Sequence, residues 1–82
     1  MNKHKLLEKI LSGSKNVRFT DFVNLVEAFV FRLSRIRGSH HIFEHKDSPE
    51  ILNLQNDKGQ VKPYQVRQFL QLVEQYSLTL EE

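Results

Sequence analysis

The sequence predicts an α+β domain, a three-stranded antiparallel sheet with helices on one face, in the order α-α-β-β-β-α. Three observations predict it. Apolar residues recur at helical spacing in 6–11, 22–29 and 66–76. Between Phe31 and Gln55 the apolar period shortens to two, the repeat of a strand with one buried face. Turn-forming runs, Gly38-Ser39 and Asn56-Asp57-Lys58-Gly59, punctuate that region.

Taken in order, Asn2 suits an N-cap, and Leu6, Leu7, Ile10 and Leu11 make one stripe behind it. Gly13 ends this helix, and 12–16 reads as a small polar loop. Thr20 with Asp21 reads as the next helix start, a hydroxyl cap followed by a carboxylate at the positive end of the dipole. Phe22, Val23, Val26 and Phe29 keep helical spacing. Phe31 and Leu33 then alternate with Arg32 and Ser34, which begins a strand. After the Gly38-Ser39 turn, His41, Phe43 and His45 fall on one face and His40, Ile42 and Glu44 on the other. Residues 46–49 read as a loop, and Ile51 to Gln55 as a third strand with Leu52 and Leu54 on one side. Pro63 suits the first position of a last helix, whose stripe is Val66, Phe69, Leu70, Val73 and Tyr76. The tail from Thr79 is expected to fray. A sheet covered on one side leaves its other face free.

Eighty-two residues are expected to make one domain, 1–82. Six Phe and two Tyr must supply much of so small a core. The absence of Cys excludes disulfides, thiolate nucleophiles and thiolate metal sites, and fits a reducing cytoplasm. No apolar run approaches the ~20 residues of a membrane helix, so no membrane is expected among the partners. The basic start, Met1 to Lys5, is too short and too soon interrupted by charge to read as a signal peptide. Residues 1–46 carry nine Lys/Arg against four Asp/Glu, and the rest three against six. That asymmetry favours a polyanion near the middle of the chain and a protein partner elsewhere.

The chemistry concentrates at Arg35-Ile36-Arg37-Gly38-Ser39-His40. A histidine beside fixed positive charge can hold a phosphodiester and move a proton, which points to nucleic acid. If that nucleic acid is RNA, it carries its own nucleophile, the 2′-hydroxyl. Cleaving it requires removing that proton, stabilising charge on phosphorus and protonating the leaving oxygen. Imidazole suits the first or third task, so His40 is the candidate base or acid. Ser39 can bond a phosphate, Gly38 lets main chain approach, and Arg35 and Arg37 can fork onto phosphate oxygens. Lys62, at a helix N-terminus, is a further phosphate candidate. Each has a plainer reading: His40 as a surface residue, the arginines as charges that guard a sheet edge. His41 shares a face with Phe43 and reads as structural, and His4 and His45 as surface residues. Tyr64, in a first helical turn, reads as packing rather than a base-stacking platform. A metal held by His40, His41, His45 and Asp47 is disfavoured, because adjacent strand residues point apart and no zinc spacing is present. No cofactor is expected.

Phe31 to Phe43, with Gly38-Ser39-His40 between two strands, and Lys62-Pro63-Tyr64-Gln65-Val66 opening an amphipathic helix, resemble the HicA-type toxins. The resemblance runs from Phe19 to Leu78. It implies a double-stranded-RNA-binding-like fold, here with an extra N-terminal helix. It implies a metal-independent endoribonuclease that cleaves mRNA, with the histidine directly after Gly-Ser, His40, as the catalytic one. It also implies a HicB-like antitoxin that covers the active surface. The lysine-rich helix start of double-stranded-RNA binders is missing, so their reading of a duplex across its minor grooves is not expected. Relatives commonly have Gly where this chain has Val30, which is expected to be either extended or strained. The rival reading is a non-catalytic RNA-binding or protein-interaction module on the same fold.

Overall fold

A computed structural model describes residues 2–13 and 15–81. Its elements are α1 (Lys3–Leu11), α2 (Phe19–Ala28), β1 (Arg32–Arg37), β2 (His40–His45), β3 (Ser48–Gln55) and α3 (Pro63–Gln75). The strands form one antiparallel sheet in the order β1-β2-β3. Met1, Ser14 of the 12–16 loop and Glu82 of the tail lie outside the described residues. No helix among the described residues is long and apolar enough to cross a membrane.

Local chemistry explains most element ends. The Asn2 side chain accepts from the backbone N–H groups of His4 (2.8 Å) and Lys5 (3.3 Å), satisfying two orphan donors of α1. Pro63 is the first residue of α3, where its missing N–H costs nothing. Lys58 (φ 53°) and Gly59 (φ 85°) both take positive φ between Asp57 and Gln60, which exchange two backbone hydrogen bonds. That is the signature of a type I′ turn.

The start of α2 departs from the sequence expectation. Arg18 is the N-cap, without a side-chain bond, and Thr20 lies inside the helix. The chain is held there from outside. Phe19 N–H donates to Gly59 C=O (2.9 Å), Arg18 bridges to Gln60, and the Phe19 ring is buried. These contacts satisfy the role a hydroxyl cap would have filled.

The core lies between the helices and the inner face of β2 and β3. Phe22, Phe43, Phe69, Leu25, Leu52 and Leu54 are fully enclosed. Phe69 is its hub: the rings of Phe22 (5.3 Å) and Phe29 (5.2 Å) meet it edge-on, and Phe31 (5.9 Å) is tilted against it. Edge-on packing sets the positive rim of one ring against the negative face of another. Every residue of β1, by contrast, is exposed. Leu33 and Ile36 stay in solvent because β1 overhangs the helical layer.

Four further expectations are corrected. Phe31 is not in the strand but a buried connector into it. The 46–49 loop does not exist, since β3 begins at Ser48 after a turn over 46–47. His45 makes that tight turn possible: its Nδ1 accepts from Asp47 N–H (3.0 Å) while its other ring nitrogen donates to Phe29 C=O (2.9 Å). His45 is therefore a buried tie between the end of α2 and the β2–β3 turn, and not a surface residue. Finally, residues 79–81 are held against the fold rather than frayed, because Leu80 packs on the core and Glu81 N–H donates to Ala28 C=O (2.8 Å).

Val30 takes the strained alternative, with φ at +70°. It follows the C-cap Phe29, and its N–H donates to Glu27 C=O (2.9 Å) while Phe31 N–H reaches Val26 C=O (3.4 Å). This is the Schellman pattern, with a β-branched residue where glycine normally sits. Ser77 (φ 51°) closes α3 in the same way, with Leu78 N–H on Val73 C=O at 2.9 Å.

Candidate active site

The outer face of the sheet takes its chemistry from strand parity and one irregularity. Arg37 lies across from His40, Arg35 from Ile42 and Arg32 from Glu44. Residues directly opposite share a face. Strict alternation would put Arg32 on the opposite side from Arg35 and Arg37. The register shift between Leu33 and Arg35 absorbs Ser34 as a bulge, and all three guanidinium groups then project from the outer face. Among the described residues none of the three has an ion-pair partner.

His40 stands at the head of β2, directly after the two-residue turn. Gly38 has φ +58° and Ser39 does not share the positive sign, as a type II′ turn requires. Nothing lies within 4 Å of where a Gly38 Cβ would sit, so the glycine is needed for its backbone angle and not for space inside the chain. The Ser39 carbonyl accepts from Asn56 N–H (3.0 Å), which ties the turn to the end of β3. The turn is thus held at both ends, and so is the imidazole that follows it.

The His40 ring is half-buried, and its Nδ1 lies 3.1 Å from Asn53 Oδ1. Asn53 sits across from Ile42 on β3, between the enclosed Leu52 and Leu54. Sequence reasoning missed this residue. The signal was present: if Leu52 and Leu54 face inward, Asn53 faces outward, on the side of His40. The pairing register that brings the two together was not legible.

The other sequence-derived residues divide. Gly38, Ser39, Arg35, Arg37 and His40 gather around one end of the outer face. Lys62 sits at the same end of the sheet but in the helical layer, as the half-buried N-cap of α3. The buried Gln65 holds it there, its Oε1 accepting the N–H of Gln55 (3.1 Å), the residue paired with His40. Tyr64 is 52 % exposed, so it does not pack as expected. His41 points inward, with its ring edge-on to Phe19 (4.8 Å) and its Nδ1 buried without a hydrogen bond. Among the described residues no three His, Asp or Glu side chains converge as a metal site would require.

The arrangement holds an imidazole beside cations on an exposed face of the sheet. A family model described as "HicA toxin of bacterial toxin-antitoxin" matches residues 19–74. No curated protein and no solved structure matches the chain.

Proposed function

The chain belongs to the HicA family of bacterial toxin–antitoxin toxins, and on that premise we propose that residues 1–82 act as a single-domain, metal-independent endoribonuclease on mRNA. The observation that carries this reading is His40, set directly after the turn on the outer face, opposite Arg37 and with Arg35 and Arg32 further along the same face. A binder needs the cations but has no use for a titrating ring in their midst.

The reaction is a transesterification. The 2′-oxygen attacks phosphorus, the bond from phosphorus to the 5′-oxygen breaks, and the products are a 2′,3′-cyclic phosphate and a free 5′-hydroxyl. One proton leaves the 2′-hydroxyl and one is gained by the 5′-oxygen. His40 serves one transfer and water the other. Arg35 and Arg37 bind phosphate oxygens and offset the charge that builds there, and Ser39 and Gly38 offer a hydroxyl and open backbone beside it. Lys62, at the α3 N-terminus, neutralises a neighbouring phosphate. The protein works in the cytoplasm and is held in check by a HicB-like antitoxin that covers the outer face.

The test is cleavage of RNA by purified wild type and His40→Ala, with growth arrest on expression read in parallel. Wild type is expected to cleave in the presence of excess chelator and the variant not to. If neither cleaves and both are harmless, the protein is a binding module. If both cleave equally, another group is the essential acid or base.

A further inference from the structure

We infer that Asn53 is a positioning residue: it holds His40 as the Nδ1–H tautomer, so that Nε2 carries the lone pair and serves as general base toward the 2′-hydroxyl. The inference rests on the ribonuclease reading and deepens it, because it chooses between the two proton transfers left open above.

The contact is specific. Nδ1 of His40 lies 3.1 Å from Asn53 Oδ1, an oxygen that can only accept, and no other hydrogen bond involves the Asn53 side chain among the described residues. A neutral imidazole carries one proton, and the nitrogen that donates decides which nitrogen is left as acceptor. An amide oxygen at Nδ1 leaves Nε2 bare, which is the state a base needs before it takes a proton.

Asn53 is also well placed to hold a ring still. Its neighbours Leu52 and Leu54 are fully enclosed, so its backbone is anchored on both sides. Ile42, across from it, is 6 % exposed and forms an apolar floor between Arg35 and Asn53. Asparagine is depleted in strands, and nothing in the packing of β3 asks for it at this position. A neutral amide has one further advantage over a carboxylate: it orients the ring without setting a negative charge beside a phosphate.

The step balances. The 2′-hydroxyl proton passes to Nε2 and its oxygen bonds to phosphorus. The bond to the 5′-oxygen breaks, water protonates the departing 5′-oxygen, and the imidazolium releases its proton to solvent.

The experiment joins two readouts. The first is the ¹⁵N spectrum of the His40 ring in the folded protein without RNA, at a pH where the ring is neutral. Wild type is expected as the Nδ1–H form, and Asn53→Ala is expected to lose that preference. The second is steady-state cleavage of RNA. Asn53→Ala is expected to lower kcat about ten- to a hundredfold, the range seen when the partner that orients a metal-bound histidine is removed, with KM unchanged. Asn53→Asp keeps the tautomer and most of kcat, raises KM by repelling phosphate, and moves the acid limb of the rate profile to higher pH. A wild-type spectrum of the Nε2–H form would mean that the amide donates to the ring, and would overturn the inference. So would an Asn53→Ala protein that matches wild type in kcat. Equal cleavage by wild type and His40→Ala also overturns the inference, since the essential acid or base is then another group, whereas cleavage by neither overturns the ribonuclease reading itself, whatever the tautomer.

Discussion

Replacing Val30 with glycine should stabilise this protein or leave its stability unchanged, although it removes a half-buried apolar side chain. Val30 sits at φ +70° as the closing residue of α2. A left-handed backbone places the Cβ of an L-residue too near the following carbonyl, at a cost of roughly 1–2 kcal/mol, and a β-branched side chain has the least room to relax. Glycine removes that strain but makes the unfolded chain freer, which costs about 0.4–1 kcal/mol. Little packing is lost, because Val30 belongs neither to the core nor to the side chains packed against it. The difference is a gain between about 0 and 1.5 kcal/mol. For a domain of this size 1 kcal/mol moves the melting temperature by ~4–8 °C, so Val30→Gly should raise Tm by up to roughly 10 °C. Thermal unfolding followed by circular dichroism reads this directly. Val30→Asn should share part of the gain, since Asn tolerates the left-handed region. Val30→Ala should gain little, because it keeps a Cβ. A fall in Tm of more than ~4 °C for the glycine variant would show that the side chain packs in the core and that the strain argument is wrong.

Other consequences can be checked in the same way. His45→Phe keeps an aromatic ring but strands the buried Phe29 carbonyl, while the Asp47 N–H it also frees lies in an exposed turn; at ~1–3 kcal/mol for the one unsatisfied buried group, chemical denaturation should show a loss of at least about 1 kcal/mol. A loss under half of that would mean water replaces the ring. Tyr76 donates to Glu50 Oε2 at 2.7 Å, and that hydrogen bond, with lesser help from burial and the Glu50 charge, raises the phenol above its usual range. Because the folded form holds its proton more tightly, the bond contributes stability below the unfolded value near 10 and loses it as pH rises through the folded value. Wild type should thus lose more Tm than Glu50→Gln on passing into strongly alkaline buffer, and parallel losses would contradict the link. If His40 is the base, the cleavage rate should climb about tenfold per pH unit on its acid limb; a rate independent of pH from 5 to 8 would point to a group other than histidine.

Much of the architecture was legible because it depends on neighbours in the chain. Asn2 caps α1 through its own side chain, Pro63 starts α3 because it lacks an N–H, and Gly38 supplies the angle a type II′ turn demands. The inward set Phe43, Leu52 and Leu54 followed from alternation alone, and with it the outward direction of His40. What could not be read was settled by groups far apart in sequence. Thr20 has the chemistry of a cap, yet α2 begins earlier because Phe19 is pinned to Gly59 from across the fold. His45 looks like any polar residue at a strand end until the Phe29 carbonyl and the Asp47 N–H meet its two ring nitrogens.

The site divides along the same line. An imidazole after a glycine turn, with cations beside it, is written into a few consecutive residues, since local backbone geometry sets which way they point. The alignment of Arg32 with Arg35 and Arg37 rests on the bulge at Ser34, and the contact of His40 with Asn53 rests on the register between β2 and β3. Register is a property of paired strands. It is chosen by the burial of both partners at once, and therefore exists only when the chain has folded.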